Sequence, residues 1–256
     1  MPDSPPAYDV AVSRLGSVPD TPAAPLVRRP EVLERTRAAL AEGPPLLLTD
    51  VDSTLIEDEV IELLAAHAGK EDEVRAVTEA AMRGELDFAQ SLHARVAVLE
   101  GLPVTVIDAV RAAVRVTPGA QELVDAVTAA GGVVGVVSGG FVEVVGPLAQ
   151  TLRIHHAVAN ALEVTDGRLT GRVSGEVVDR AVKARVLREL AERHGIPPER
   201  TIAVGDGAND LDMLQAAGLG VAFAAKPALA DRADVCLPGP RLDDLVELLG
   251  LPRAAR

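Results

Sequence analysis

Apolar positions along the chain follow two different spacings. Short apolar runs bounded by turn residues at 46–50, 133–137, 157–160, 201–204, 220–223 and 234–237 predict buried strands. Between them, apolar residues recur three and four apart and predict helices. The early ones are 31–42, 60–68, 71–83, 88–99 and 104–114, and the later ones 118–130, 141–152, 181–194, 209–217 and 242–249. Gly43-Pro44-Pro45 stops the first helix, Pro118 is read as the first residue of another, and Gly146-Pro147 disturbs the helix at 141–152. Asp166-Gly167, between runs at 162–165 and 169–173, predicts a hairpin turn. Alternating strands and helices predict an α/β fold with a doubly wound, mostly parallel sheet covered on both faces. Residues 57–115 hold no strand pattern and read as a helical cap inserted into a core made of 45–56 and 116–256. Residues 1–44 read as an N-terminal arm, irregular apart from one helix, because seven of the 18 prolines fall in the first 30 positions.

Composition narrows the partners. The chain has 256 residues, 48% hydrophobic but only 2% aromatic, so its core must be aliphatic. A net charge of −13 argues against nucleic acid or an anionic membrane surface. It leaves room for an anionic small substrate, since local cations or a metal can reverse the field inside a pocket. Cys236 is the only cysteine, which excludes an intramolecular disulfide and fits a reducing compartment. No apolar run reaches the roughly 18 residues of a membrane span, and no basic-then-apolar leader opens the chain. The expected location is the cytoplasm. The five histidines show no metal-binding spacing.

Candidate chemistry gathers at strand ends. The first run closes on Asp50-Val51-Asp52-Ser53-Thr54, two carboxylates one residue apart. Close carboxylates repel unless a cation lies between them, so the pair points to a metal site or a nucleophile. A solvated turn or a helix N-cap accounts for such a pair equally well when it is taken alone. Ser138, Gly139 and Gly140 follow the second strand, and Asp206, Asn209 and Asp210 follow the fourth. Lys183 sits near the start of the helix at 181–194. Each has an ordinary reading as a cap, a turn or a solvated charge. Their joint occurrence matters, because the carboxyl ends of parallel strands converge on one crevice.

In that order these residues resemble the haloacid dehalogenase superfamily of phosphatases, and in detail its phosphoserine phosphatases. The similarity is carried by DVDST (50–54), TEAAMRGELDFAQSLHARVAVLEG (78–101), VVSGGF (136–141), VANALEVTDGRLTG (158–171) and AVGDGANDLDMLQAAGLGVAFAAKP (203–227). It spans roughly residues 45 to 240 and implies a HAD-like Rossmannoid core with an inserted helical cap. It implies Mg²⁺-dependent hydrolysis of O-phospho-L-serine through an aspartyl phosphate. Asp50 is then the nucleophile and Asp52 the general acid and base. Asp50, the Asp52 backbone carbonyl and Asp206 would hold Mg²⁺, with Asp210 orienting them. Ser138, the Gly139 amide, Lys183 and Asn209 would hold the phosphoryl group. Glu59 would take the substrate ammonium and Arg95 its carboxylate, and Met82 and Phe88 would wall the cap against water.

Fewer than 50 residues precede the first core strand, so a complete amino-acid-sensing domain, frequent in the family, is not expected here. Monomer and homodimer remain equal alternatives. Within the fold, the rivals are a phosphatase for another small phosphomonoester and a phosphotransferase using phosphoserine. Outside it, the rival is a non-catalytic phospho-signalling module. Gly205–Asp210 lacks the third glycine of a dinucleotide fingerprint, and Gly135–Gly139 lacks the spacing of a nucleophile elbow.

Overall fold

The computed structural model describes residues 24–82 and 85–252. Eight strands form one sheet: β1 (Leu26–Val27), β2 (Leu46–Thr49), β3 (Val133–Phe141), β4 (His156–Thr165), β5 (Arg168–Ser174), β6 (Thr201–Gly205), β7 (Leu219–Phe223) and β8 (Val235–Leu237). Their spatial order is β1-β8-β7-β6-β2-β3-β4-β5. The six strands from β8 to β4 run parallel, and the edge strands β1 and β5 are antiparallel to their neighbours. β2 lies between β3 and β6, so the tips that carry Asp50, Ser138 and Asp206 are adjacent.

Alternation along each strand divides the core between the two faces. Leu47, Val134, Val136, Ile202 and Val204 pack on one side, beneath α1 (Pro30–Leu40), α6 (Ala120–Ala129), α7 (Val142–Thr151) and α11 (Asp244–Leu249). Leu46, Leu48, Val137 and Ala203 pack on the other, beneath α8 (Arg180–Arg193), α9 (Leu211–Ala216) and α10 (Pro227–Ala230). Burial on both faces explains why these strands read as apolar runs without polar alternation. Gly135 lets α8 approach closely, since a Cβ there would lie 3.1 Å from Leu190 Cδ1.

Four helices fill the interval between β2 and α6: α2 (Val60–Ala68), α3 (Glu71–Met82), α4 (Phe88–Ala97) and α5 (Val106–Ala113). The two strands of chain that enter and leave this segment are tied side by side. Ile56 and Val116 form an antiparallel bridge, Glu57 N–H donates to Arg115 O at 2.9 Å, and Thr117 N–H donates to Leu55 O at 3.0 Å. The Asp58 carboxylate accepts from the Arg115 backbone and guanidinium at 2.8 and 2.7 Å.

Several sequence expectations need correction. β3 does not stop before Ser138 but runs through Gly139 and Gly140 to Phe141, with a break in register against β4. The glycines make a bulge here, not a turn. The runs at 157–160 and 162–165 are one continuous strand, parallel to β3 at its start and antiparallel to β5 at its end. Pro118 lies outside α6, whose cap is Gly119 with φ 82°. A Cβ on Gly119 would also collide with Asp243. α9 starts at Leu211, after a single 3-10 turn over Ala208–Asp210. α7 absorbs Pro147 without interruption. The proline cannot donate to Glu143 O four residues back, and Arg111 Nε donates to that oxygen instead at 2.7 Å. β1 was not expected in the proline-rich arm; it pairs Leu26 with Cys236 and Val27 with Val235.

Candidate active site

The turn after β2 sets the geometry. Ile56 N–H reaches back to Val51 O at 3.0 Å, closing one wide turn over Val51–Leu55 in which Ser53 adopts φ 55°. The turn points Asp50 and Asp52 in different directions. Asp50 Oδ1 accepts from Val51 N–H at 2.7 Å and faces Lys183 Nζ at 2.8 Å. Asp52 Oδ1 accepts from Val60 N–H at 2.8 Å, and its Oδ2 accepts from the Ser138 hydroxyl at 2.8 Å. The Ser138 oxygen in turn accepts from Gly140 N–H at 2.7 Å. A Cβ at 140 would lie 2.7 Å from Asp52 Oδ2 and 3.0 Å from Ser138 Oγ, so any side chain there would displace one of the pair.

Lys183 is fully buried on the first turn of α8, whose N-cap Asp179 accepts from Val182 N–H. Its ammonium bridges Asp50 and Asp210, at 2.8 and 2.7 Å. Asp210 Oδ2 accepts from Gly207 N–H at 3.1 Å, which folds the loop after β6 over its own acid. One carboxylate oxygen each from Asp50, Asp206 and Asp210 fall within 4.8 Å of one another. Among the described residues Lys183 is the one cation ion-paired within this trio, and Lys226 acts on Asp206 from farther off, so the cluster is under-compensated and fits a divalent cation with oxygen ligands. The Asp52 carboxylate stands apart from this trio, turned toward Ser138.

The electrostatics follow from that crowding. Burial first, and then Asp210, push the Asp50 carboxyl well above its ordinary range, and Lys183 opposes them. Burial raises Asp52 as well, partly offset by the bonds from Val60 and Ser138. Asp206 is pushed up to about 6 by burial and by Asp210. Lys183 is raised: burial works against its charge, but Asp50 and Asp210 outweigh it.

A cavity of about 430 Å³ lies between this cluster and the inserted helices. Asp50, Asp52, Gly139, Asp206 and Asn209 line it from the sheet side. Glu59, Phe88 and Arg95 line it from the helices. Glu59 caps α2 and accepts from Ser53 Oγ at 2.8 Å. Burial and the neighbouring Asp52 raise it to about 7. Arg95, on α4, donates Nε to Ser91 O at a long 3.3 Å. Burial lowers its pKa, and the charges that counteract this are Glu59, Asp52 and Glu62. The α4 helix is fixed by a capping box in which Asp87 accepts from Gln90 N–H at 2.8 Å. Phe88 presses its ring against Gly139, where a Cβ would meet Cζ at 3.0 Å. Met82 ends α3, and its side chain lies outside the described residues.

Thus Asp50, Asp52, Ser138, Gly139, Lys183, Asp206, Asn209, Asp210, Glu59, Phe88 and Arg95 converge on one region. Two neighbours escaped the sequence reading. Lys226 lines the cavity and acts electrostatically on both Asp206 and Glu59. Asn160 clamps the bulge: its Nδ2 donates to Gly139 O and its Oδ1 accepts from Val178 N–H, both at 2.8 Å. Both stood inside quoted motifs: Lys226 follows the tip of β7, a signal that could have found it, whereas Asn160 lies within β4 and carries no such signal.

Comparison with known proteins places this geometry. The family model of haloacid dehalogenase-like hydrolases matches residues 47–215. A phosphoserine phosphatase of Streptomyces coelicolor is 61% identical over 208 residues, 81% of this chain and 51% of that protein. One from Streptococcus thermophilus is 48% identical over 82% of this chain and 98% of its own length. A solved structure described as the phospho-aspartyl intermediate analogue of phosphoserine phosphatase superposes with a TM-score of 0.76, at 42% identity, over 80% of this chain and 98% of that one. The chain spans about half the length of the first curated relatives it matches. On the strength of the matched residues and the shared architecture, the chain belongs to the haloacid dehalogenase-like hydrolases.

Proposed function

We propose that the chain is a Mg²⁺-dependent phosphoserine phosphatase that hydrolyses O-phospho-L-serine to L-serine and phosphate, in serine biosynthesis. The carrying observation is the pairing of a buried Lys183–Asp50–Asp210 cluster with a cavity whose far wall presents both Glu59 and Arg95. A phosphomonoester with an amino-acid tail has matching groups: phosphate for the cluster, ammonium for Glu59, carboxylate for the planar Arg95 fork. The curated relatives named above carry the same activity in their names.

Asp50 Oδ1 is held by Val51 N–H and Lys183, which leaves Oδ2 as the attacking atom. It bonds to phosphorus as the bond to the serine oxygen breaks, giving an aspartyl phosphate and a departing alkoxide. Asp52, raised by burial and so able to hold a proton, donates it to that oxygen. Water then attacks phosphorus, Asp52 takes its proton, and the Asp50 carboxylate is released with phosphate. Lys183 holds Asp50 and offsets charge on the phosphoryl group. Ser138 must rotate its hydroxyl from Asp52 toward a phosphate oxygen to bind it, while the Gly139 amide and Asn209 supply further donors. Asp50, Asp206 and the Asp52 backbone carbonyl, with Asp210 beside them, would hold Mg²⁺, which when bound neutralises charge on the transferring group. Residues 57–115 act as the cap, with Phe88 in its apolar wall, opening to admit substrate.

Steady-state phosphate release from a panel of phosphomonoesters with Mg²⁺ tests the assignment. Preference for O-phospho-L-serine over phosphothreonine and sugar phosphates is expected. A flat profile would refute the substrate. Added alcohols should not divert the phosphoryl group from water.

A further inference from the structure

We propose a second ligand site, for a small multivalent oxyanion, at the opposite edge of the sheet from the acid cluster. A cavity of about 360 Å³ opens there beside Gly218, Gly220 and Asp234. These residues lie at the starts of β7 and β8, whereas Asp50 and Asp206 follow the ends of β2 and β6. The two cavities have no lining residue in common. Ligands of open parallel sheets bind at the carboxyl ends, so this hollow is not the customary crevice of the fold. It does not depend on the phosphatase reading.

Charge carries the inference. Arg29, ahead of α1, Arg35, on α1, and Arg232, after α10, all line the cavity, with Asp234 as the only carboxylate among its lining residues. Asp234 is already engaged: Oδ2 accepts from Gly220 N–H at 2.8 Å and Oδ1 from Arg29 at 3.1 Å. Arg35 and Arg232 carry no ion pair among the described residues. Two guanidiniums therefore remain uncompensated in one concavity, in a chain with 38 acidic and 25 basic side chains. In so acidic a chain most other exposed arginines of the described residues have found a carboxylate, as the Arg153–Asp125 and Arg180–Asp212 pairs show, and the exposed Arg168, Arg188 and Arg193, which have none, do not line this cavity. Leu214 and Ala233, both buried, give the hollow an apolar wall. Guanidinium forks match carboxylate and phosphate oxygens in pairs, and the volume suits a small molecule. A metabolite bearing a phosphate group or two carboxylates supplies that chemistry.

Isothermal titration of the full chain without added metal tests this, with succinate and inorganic phosphate as the probes. The comparison is wild type against an Arg35→Ala/Arg232→Ala double variant. Both side chains are exposed, so the variant should retain the wild-type melting profile and its phosphate release from O-phospho-L-serine. Saturable binding of at least one probe to wild type is expected, weakened about tenfold or more in the double variant. Succinate and phosphate distinguish the carboxylate from the phosphate source. Absence of saturable binding of either probe would overturn the site. So would equal affinity in the two proteins, which for phosphate would assign the heat to the active site.

Discussion

Lys183 illustrates how much one side chain can hold together. Among the described residues its ammonium is the one cation within bonding distance of both Asp50 and Asp210, and all three are buried. Removing it leaves two carboxylates facing each other without compensation. Lys183→Met should cost about 3–5 kcal/mol of stability by chemical denaturation and abolish phosphate release. A variant as stable as wild type would show that the carboxylates are protonated or otherwise paired.

Glu59 gives a pH signature. Its ordinary pKa is 4.5 and the fold raises it to about 7. Between those values the folded chain holds a proton that the unfolded chain has lost, so this group makes stability fall as pH rises from about 4.5 to about 7. In the proposed reading the substrate ammonium pairs with the charged form. KM for O-phospho-L-serine should therefore rise as pH falls below about 7, and Glu59→Gln should remove that dependence, raising KM above about pH 7 and converging on wild type at low pH. A KM profile unchanged by the substitution would deny Glu59 the ammonium.

Most of these residues were legible because the chemistry sits in contiguous motifs at strand tips. Lys226 and Asn160 were not read as members of the site. Lys226 reaches the cavity only because its loop packs back over Asp206, to whose carbonyl its own N–H donates at 3.1 Å. Asn160 acts through the backbone of two other segments, a partnership that no local pattern encodes.

At the scale of elements, the glycine bulge in β3 is the feature that sequence punctuation misread. Ser138-Gly139-Gly140 carries the same residues as a turn, and only pairing with β4 tells a bulge from an end. The bulge brings the Gly140 Cα within a methyl group of Asp52. Gly140→Ala should lower kcat by about a hundredfold or more through displacement of Asp52 and Ser138, with a smaller effect on melting. Wild-type kcat would show that the carboxylate has room to move. β1 was missed because two residues are too few for any periodicity, and it exists only through pairing with β8. The paired connectors around Asp58 and Arg115 follow the same rule: each looks like a loop until its partner lies beside it.

Across the whole molecule, strand–helix alternation was enough to predict the mostly parallel sheet. Spatial strand order was not, because nothing in a strand's own pattern says which neighbour it takes. That order places β2 centrally and so builds the acid cluster from segments more than 150 residues apart. The three-carboxylate cluster predicts that Mg²⁺ raises the melting temperature of the protein and that chelation lowers it. Asp206→Asn should weaken that dependence, and a metal-independent melting curve would argue against the site.

The most direct test of the central claim is acid quenching during turnover of O-phospho-L-serine with Mg²⁺, followed by peptide mass analysis. The prediction is a phosphoryl group on the peptide containing Asp50, absent in Asp50→Asn, whose phosphate release should fall by about a thousandfold or more. Phosphate release at the wild-type rate from Asp50→Asn, or a phosphoryl group carried by another residue, would contradict it.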